Sequence, residues 1–177
     1  HKHVNLMKEL ANEHETPVFQ PVKANEPESL GRLREFNADL FVTAAYGQIL
    51  SAELLSIPKI GAINVHASLL PEYRGAAPIQ FAIINGETET GITIFRIEPK
   101  LDAGPILGVE KTDIGKKETY GKLQDRLAEL AVPLTCKVVD DLAAGTAQES
   151  VQDASLVSRA PRLKKADGMI PWQKSSR

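Results

Sequence analysis

The chain has 177 residues, of which 42% are hydrophobic and 25% charged, and its net charge is −2. This length and composition suit one compact domain and argue against intrinsic disorder or a fibrous repeat. The small net charge argues against nucleic-acid binding over the whole surface. The charge is uneven, however: residues 159–177 carry six Lys or Arg and one Asp, a balance of +5 that leaves −7 for the first 158 residues. This basic segment is either a solvated face or a contact for a polyanion.

The compartment is also indicated by composition. No apolar run approaches the ~20 residues that a membrane-spanning helix needs. The first residues, His-Lys-His, lack the apolar stretch of a secretion signal. We therefore expect a cytoplasmic protein without membrane contact. The single cysteine, Cys136, agrees with a reducing compartment, and its place in a helix-like stretch predicts a small core residue.

Helix-like and strand-like hydrophobic patterns alternate along the chain. Helices are predicted over 4–11, 27–36, 51–55, 76–85 and 119–142, the last ended by Gly145, and strands over 17–21, 39–45, 61–66, 89–97 and 105–111. The strands at 39–45 and 61–66 are nearly continuous apolar runs, which is typical of parallel strands covered on both faces. The last two strands are close enough in sequence to form a hairpin. The pattern predicts an α/β fold with a mostly parallel sheet flanked by helices.

Two polar residues close the apolar strand at 61–66. Asn64 and His66 are two positions apart, so both side chains leave the same face of the sheet. Open α/β sheets bind their ligands at the carboxyl ends of strands. The pair is therefore a candidate for chemistry, or alternatively two structural hydrogen-bonding residues.

The loop after this strand is unusually apolar for a connection. Ser68 and the backbone around Leu69 and Leu70 are candidates for holding a ligand, and Pro71 stiffens the turn. Gly75 permits a close approach of the backbone. Arg74, the residue before it, is either an anion-binding group or a partner in a surface ion pair.

Asp102 lies in a turn after the alternating strand at 89–97, followed by Gly104 and Pro105. An Asp in a turn is commonly a local hydrogen-bond acceptor. Placed beside His66 in space, its carboxylate would raise the pKa of the imidazole and orient the ring. Such a ring suits proton donation or stabilisation of a negatively charged oxygen.

Three motifs together resemble the folate-dependent formyltransferases, and most closely the branch that acts on tRNA. The resemblance extends from about Pro17 to Trp172. Its motifs are Asn-Val-His-Ala-Ser-Leu-Leu-Pro over 64–71, Arg-Gly-Ala-Ala-Pro-Ile over 74–79 and Leu-Asp-Ala-Gly over 101–104, with further matches at 44–47, 91–94 and 151–153. The resemblance implies a Rossmann-like formyltransferase domain over 1–158. It also implies that residues 159–177 are a basic linker, and that the family's opening strand and C-terminal β-barrel have no counterpart here.

The resemblance assigns roles to individual residues. It implies that Asn64, His66 and Asp102 are catalytic, with the Asn64 amide and a protonated His66 stabilising the oxyanion of formyl transfer and Asp102 as partner and general base. It implies tetrahydrofolate contacts by the Ser-Leu-Leu-Pro run, and a pterin slot is expected between 46–50 and 97–102. The folate-contacting residues are therefore Ser68, Leu69, Leu70, Pro71, Tyr46, Gly47 and Leu50.

The resemblance further implies the reactants. The donor would be 10-formyltetrahydrofolate, the acceptor the α-amino group of initiator methionyl-tRNA, and the enzyme a monomer that needs no metal. The same residues would serve a glycinamide ribonucleotide formyltransferase, a sugar-nucleotide formyltransferase or a formyltetrahydrofolate hydrolase. A non-catalytic folate-binding module is the alternative outside the enzymes.

Overall fold

The computed structural model describes residues 5–169, and within them the chain forms five α-helices and four β-strands. In chain order these are α1 (Leu6–Glu13), α2 (Pro27–Glu35), β1 (Leu40–Ala44), α3 (Ala52–Leu55), β2 (Gly61–His66), α4 (Pro78–Ile84), β3 (Glu89–Arg96), β4 (Ile106–Asp113) and α5 (Tyr120–Ala144). The five predicted helices and four of the predicted strands are confirmed. The strand predicted over 17–21 is wrong: these residues have no strand partner, and the segment begins and ends with a proline, which cannot donate a backbone hydrogen bond.

Local sequence explains where several helices begin and end. Pro occupies the first turn of α2 and of α4. Backbone N–H groups in the first turn have no acceptor within the helix, so the missing N–H of Pro costs no hydrogen bond there. The hydroxyl of Ser51 caps α3 by accepting from the backbone N–H of Leu54 at 3.1 Å. Gly145 ends α5 in the left-handed conformation, with φ of 70°.

The four strands form one sheet in the order β1-β2-β3-β4. Only β1 and β2 are parallel, whereas β3 runs antiparallel to both of its neighbours. The α/β class is confirmed, but the prediction of a mostly parallel sheet is wrong for the described residues. The reason is the predicted hairpin itself: the short link over 97–105 makes β3 and β4 antiparallel, and β3 pairs directly with β2 in the opposite direction.

The main core lies between one face of the sheet and α5. It is built from aliphatic side chains of β2, β3, α4 and α5, namely Ile63, Ile79, Ile92, Ile94, Leu123, Leu127, Val138 and Leu142. Two sequence predictions about burial are wrong. Strand β1 is not covered on both faces, since it forms an edge of the described sheet and Val42 is 48% exposed. Cys136 is exposed, because it lies on the outer side of α5.

The segment after α5 returns to the sheet and to the loop that follows β2. Ser150 forms an isolated bridge with Ile106, and Arg159 forms one with Arg74. The side chain of Ala160 is fully buried. Contacts with the domain therefore continue past 158, where the boundary of the catalytic domain was predicted, and the boundary itself stays a prediction. Part of the predicted basic segment, including Lys174 and Arg177, lies outside the described residues.

Candidate active site

The candidate site lies on the face of the sheet opposite the main core. Ile63 points into the core, so its neighbours Asn64 and His66 project from the other face at the carboxyl end of β2. Phe95 of β3 pairs with Asn64 in the sheet and meets the imidazole of His66 edge-on, with ring centroids 6.3 Å apart and planes at 84°. The predicted same-face arrangement of the two polar residues is confirmed.

The imidazole of His66 is buried, with 6% of its surface exposed. Its Nε2 lies 3.0 Å from the backbone carbonyl oxygen of Tyr73. A carbonyl oxygen can only accept a hydrogen bond, so Nε2 carries the proton. The other ring nitrogen, Nδ1, lies 3.9 Å from Oδ2 of Asp102, within reach of its charge and beyond hydrogen-bond distance.

Burial lowers the pKa of His66 below its ordinary value of 6.5, while the Asp102 carboxylate and the Tyr73 carbonyl oppose that shift. The lowered pKa favours the neutral form of the ring. The sequence predicted a protonated His66 held by Asp102; the effect of burial on the pKa opposes that expectation for the resting state, and the role of His66 stays a prediction. That expectation included the effect of the Asp102 carboxylate on the pKa and omitted the effect of removing water from around the ring.

The carboxylate of Asp102 bridges two loops. Its Oδ2 accepts a 2.7 Å hydrogen bond from the backbone N–H of Gly75, which is 27 residues away in sequence. Asp102 is therefore not a purely local turn acceptor. Its own backbone is left-handed, with φ of 47°, a conformation that costs a non-glycine residue free energy and requires support from its surroundings.

Asn64 is oriented by a residue that the sequence reasoning missed. The hydroxyl of Thr43 on β1 donates to Oδ1 of Asn64 at 2.7 Å, and the two residues are paired in the parallel register of β1 and β2. With the amide in this orientation, Oδ1 faces Thr43 and Nδ2 is turned away as a donor. Nδ2 has no acceptor among residues 5–169, and Asn64 is half-buried. The sequence signal that could have identified Thr43 was a polar residue on β1 at the position opposite Asn64.

The loop that carries the Ser-Leu-Leu-Pro run is held by a hydrogen bond of its own and by two hydrogen bonds with β3. Ser68 is fully buried, and its hydroxyl donates to the carbonyl of Glu72 at 2.7 Å. The hydroxyl of Thr93 donates to the Ser68 carbonyl at 2.7 Å and accepts from the Leu70 N–H at 3.1 Å. Thr93 was also missed. Folate contacts by Ser68, Leu69, Leu70 and Pro71 stay predictions, and a contact through the Ser68 hydroxyl would compete with an existing bond.

The other predicted folate-contacting residues follow β1. Tyr46 is 46% exposed, and Gly47 adopts a φ of 78°. Leu50 packs instead against a small second core around Leu30 and Leu54. The loop after β1 is held by Asn25, which lies just before α2. The Asn25 side chain donates to the carbonyl of residue 49 at 2.8 Å and accepts from the N–H of residue 51 at 2.8 Å. Roles for these residues in folate binding stay predictions.

Arg74 is bound by a neutral side chain. Its Nε and Nη2 donate to Oε1 of Gln152 at 3.1 and 2.6 Å. No acidic side chain within residues 5–169 forms an ion pair with it, so the surface ion pair considered from the sequence is absent from that part of the chain. Gln152 belongs to a motif that the sequence had singled out, but no role had been given to it. Over the same residues, no cluster of three or more His, Cys, Asp or Glu side chains is placed to hold a metal ion.

This geometry brings the three predicted catalytic residues together on one face of the sheet. The arrangement offers a buried ring with one free nitrogen, a carboxylate beside it and a free amide N–H₂ on the neighbouring position. Together these groups can take up a proton and donate hydrogen bonds to an oxygen. That combination is suited to acyl-group transfer.

Comparison with known proteins agrees with this class. The family model described as "Formyl transferase" matches residues 2–139, and the chain therefore belongs to that family. The chain is 46% identical over 170 residues to a methionyl-tRNA formyltransferase of Methylococcus capsulatus, covering 96% of this chain and 55% of the relative. It is 48% identical over 167 residues to one of Geobacter metallireducens, covering 94% of this chain and 54% of that one. The chain thus spans about half the length of these relatives.

A solved structure shares the fold. The phosphoribosylglycinamide formyltransferase of Bacillus halodurans superposes with a TM-score of 0.70 at 27% identity, over 77% of this chain and 74% of that one. The name of this enzyme indicates a different acceptor from the one in the names of the tRNA enzymes. The family and the Rossmann-like formyltransferase fold are therefore established, while the acceptor is a separate question. No helix in the described part of the chain is both long and apolar enough to cross a membrane.

Proposed function

We propose that this chain carries the catalytic core of an enzyme that transfers a formyl group from 10-formyltetrahydrofolate to the α-amino group of initiator methionyl-tRNA. The observation that carries the proposal is the buried His66 ring. Its Nε2 is anchored to the Tyr73 carbonyl and its free Nδ1 faces Asp102 at 3.9 Å. Relatives at 46% and 48% identity that bear the name methionyl-tRNA formyltransferase support the tRNA acceptor.

The proposed chemistry moves one proton and exchanges one bond. The acceptor nitrogen forms a C–N bond to the formyl carbon, and the C–N bond between that carbon and the donor breaks. The acceptor amine must lose a proton, and the donor nitrogen must gain one. Nδ1 of His66 with the Asp102 carboxylate forms the group that takes up this proton and returns it, which is general acid–base catalysis. The neutral resting state of His66 suits the first of these steps.

The carbonyl oxygen of the formyl group gains negative charge during the attack. Nδ2 of Asn64 is the proposed hydrogen-bond donor to it, because Thr43 occupies the amide oxygen and leaves the N–H₂ free. His66 becomes a second donor once Nδ1 is protonated. The protonated ring that the sequence predicted thus belongs to the reacting state rather than to the resting state.

Folate binding is proposed for the apolar surface beside this pair. Apolar side chains stay exposed there: Tyr46 is 46%, Ile49 78% and Leu101 55% exposed. Tyr46 and Ile49 follow β1, and Leu101 precedes Asp102, so both sets border the site. A flat heterocycle suits such a surface when backbone groups supply the polar contacts. The proposal keeps Ser68, Leu69, Leu70, Pro71, Gly47 and Leu50 as further contacts or supports.

The tRNA partner is proposed from charge as well as from the relatives. Four basic residues of the segment after 158 are exposed and available to phosphates: Arg159, Arg162, Lys164 and Lys165. A cytoplasmic location belongs to the same proposal. A monomeric state is part of the same proposal.

An acceptor screen tests the proposed function. The full-length protein is incubated with 10-formyltetrahydrofolate labelled in the formyl group and, separately, with methionyl initiator tRNA, glycinamide ribonucleotide and an amino-sugar nucleotide. We expect label on the tRNA alone. Preferential label on either small acceptor would contradict the tRNA assignment, and release of labelled formate without any acceptor would identify a hydrolase. Folate binding without transfer to any acceptor or to water would identify a binding module.

A further inference from the structure

Gln152 is a buried polar residue in which both ends of the amide are in use. The side chain is 7% exposed and lies on the segment after α5. Its Nε2 donates to the backbone carbonyls of Asp102 at 3.0 Å and Gly104 at 2.8 Å. Its Oε1 accepts both hydrogen bonds from Arg74. One side chain therefore joins the loop after β3 to the loop after β2.

These two loops already meet at the catalytic carboxylate. The N–H of Gly75, next to Arg74, donates to Oδ2 of Asp102. Gln152 holds the backbone of the same aspartate from the other side, through its carbonyl. Asp102 has a left-handed backbone with φ of 47°, which persists only where surrounding contacts determine it. The two bonds together provide such contacts.

Only an amide can make this set of contacts. Two carbonyl oxygens require a donor, and the guanidinium of Arg74 requires an acceptor. A carboxylate of the same length would accept from Arg74 but would repel the two carbonyl oxygens. An ammonium group would donate to the carbonyl oxygens but would repel the guanidinium of Arg74. An amide at position 152 is therefore what a residue that joins both loops requires. A residue that only fills the core would not need an amide.

We propose that Gln152 is a positioning residue of the formyl-transfer site: it joins the two loops and thereby sets the Asp102 carboxylate at its distance from Nδ1 of His66. The inference rests on the proposed function for its catalytic consequence. Its structural part, the control of Asp102 by Gln152, stands on the hydrogen bonds alone. The two parts can therefore be tested separately.

The first test replaces the amide by an apolar chain of similar length, Gln152→Met, in the full-length protein. We expect kcat for formyl transfer to fall about tenfold or more while KM for the folate changes little, since Gln152 touches neither reactant. The matched control is Gln148→Met, because Gln148 is exposed and bonds only the nearby Thr146 carbonyl. Equal kcat values for the two variants would overturn the proposal.

A second readout distinguishes positioning from general stabilisation. An NMR titration of the His66 ring is expected to show a pKa lower in Gln152→Met than in the wild type, because a displaced Asp102 no longer opposes the effect of burial. An unchanged pKa would overturn the proposal even if kcat fell. This measurement needs no formyl acceptor, so a wild-type protein without formyl-transfer activity would refute the proposed function and leave the structural part testable.

A double-mutant cycle gives the third readout. If Gln152 acts through Asp102, Gln152→Met in an Asp102→Asn background should lower kcat by less than about twofold further. Additive losses would overturn the proposal. If Gln152→Met does not fold, Gln152→Glu replaces it, because this variant keeps the acceptor for Arg74 and loses both donors. Activity of Gln152→Glu within about twofold of the wild type would then contradict the inference.

Discussion

Nδ1 of His66 and Oδ2 of Asp102 lie 3.9 Å apart, and that same carboxylate oxygen accepts its hydrogen bond from the N–H of Gly75. The carboxylate therefore acts on the ring through its charge, while a backbone group from the next loop holds it in place. The neutral ring already uses Nε2 as a donor to Tyr73. The site is thus arranged to gain one proton at Nδ1.

Removing the Asp102 charge should lower the pKa of His66. Asp102→Asn keeps the shape of the side chain and removes the interaction that opposes the effect of burial. An NMR titration of the ring should show a lower pKa than in the wild type. The matched control is Asp125→Asn, at an exposed position of α5, which should leave the titration unchanged. An identical His66 titration in Asp102→Asn would contradict the pairing of the two residues.

Stability should depend on pH through His66. Its pKa in the folded state is lowered by burial, so the unfolded chain binds a proton more readily. The stability contribution of the neutral ring is complete above the unfolded value of 6.5 and is lost as pH falls through 6.5 toward the folded pKa. Urea unfolding from about pH 7.5 to about pH 5.5 should show a smaller loss of stability in His66→Gln than in the wild type.

The control for this titration is the exposed His14. His14→Gln should therefore reproduce the wild-type pH dependence. If His66→Gln and His14→Gln lose the same stability on acidification, His66 does not have the lowered pKa that its burial requires.

The bond between Thr43 and Asn64 predicts a catalytic effect at a residue that touches neither reactant. Thr43→Val keeps the volume of the side chain and removes the hydroxyl that orients the Asn64 amide. We expect kcat to fall by about threefold to tenfold, the value of one hydrogen bond, with little change in KM. Thr43→Ser, which keeps the hydroxyl, should restore most of the loss. Equal activities of the valine and serine variants would be inconsistent with this role.

Gly75 should tolerate no side chain. Its φ is 126°, and an added Cβ would lie 2.5 Å from the Ala160 carbonyl oxygen. Gly75→Ala is therefore expected to lower the free energy of unfolding by about 1 kcal/mol or more. Gly121 is the matched control, since it lies in α5 with no atom within 4 Å of an added Cβ. Gly121→Ala should raise stability by about 0.5–1 kcal/mol. Equal urea midpoints for the two variants would contradict this account of the loop.

Periodicity in the sequence was sufficient to locate the helices and four strands, including α1, whose apolar residues are exposed in the described structure. It did not predict strand direction. The alternation of β3 and β4 is the same for either direction, and only the short link over 97–105 favours a hairpin. The prolines around residues 17–21 signalled a break in the chain, and the two apolar residues between them were too few to form a strand.

The residue types of the site were predictable from the sequence, whereas the protonation of its histidine was less predictable. Asn64 and His66 were placed correctly from their spacing on β2, because strand geometry alternates side chains between faces. The expected protonation of His66 did not take the burial of the ring into account, because that burial depends on the loop that carries Tyr73 and on Phe95 of a different strand. Gln152 and Thr43 make their hydrogen bonds across 50 and 21 positions, and a local pattern does not show which partner each side chain will meet.

The most direct test of the central claim is the formyl-transfer kcat of His66→Ala, measured with methionyl initiator tRNA in the full-length protein beside His14→Ala. We predict that His66→Ala loses about a hundredfold or more, as expected for loss of an acid–base group, while its circular dichroism spectrum stays that of the folded protein. His14→Ala should match the wild type. A folded His66→Ala that turns over within about threefold of His14→Ala would show that the ring does not carry the proton.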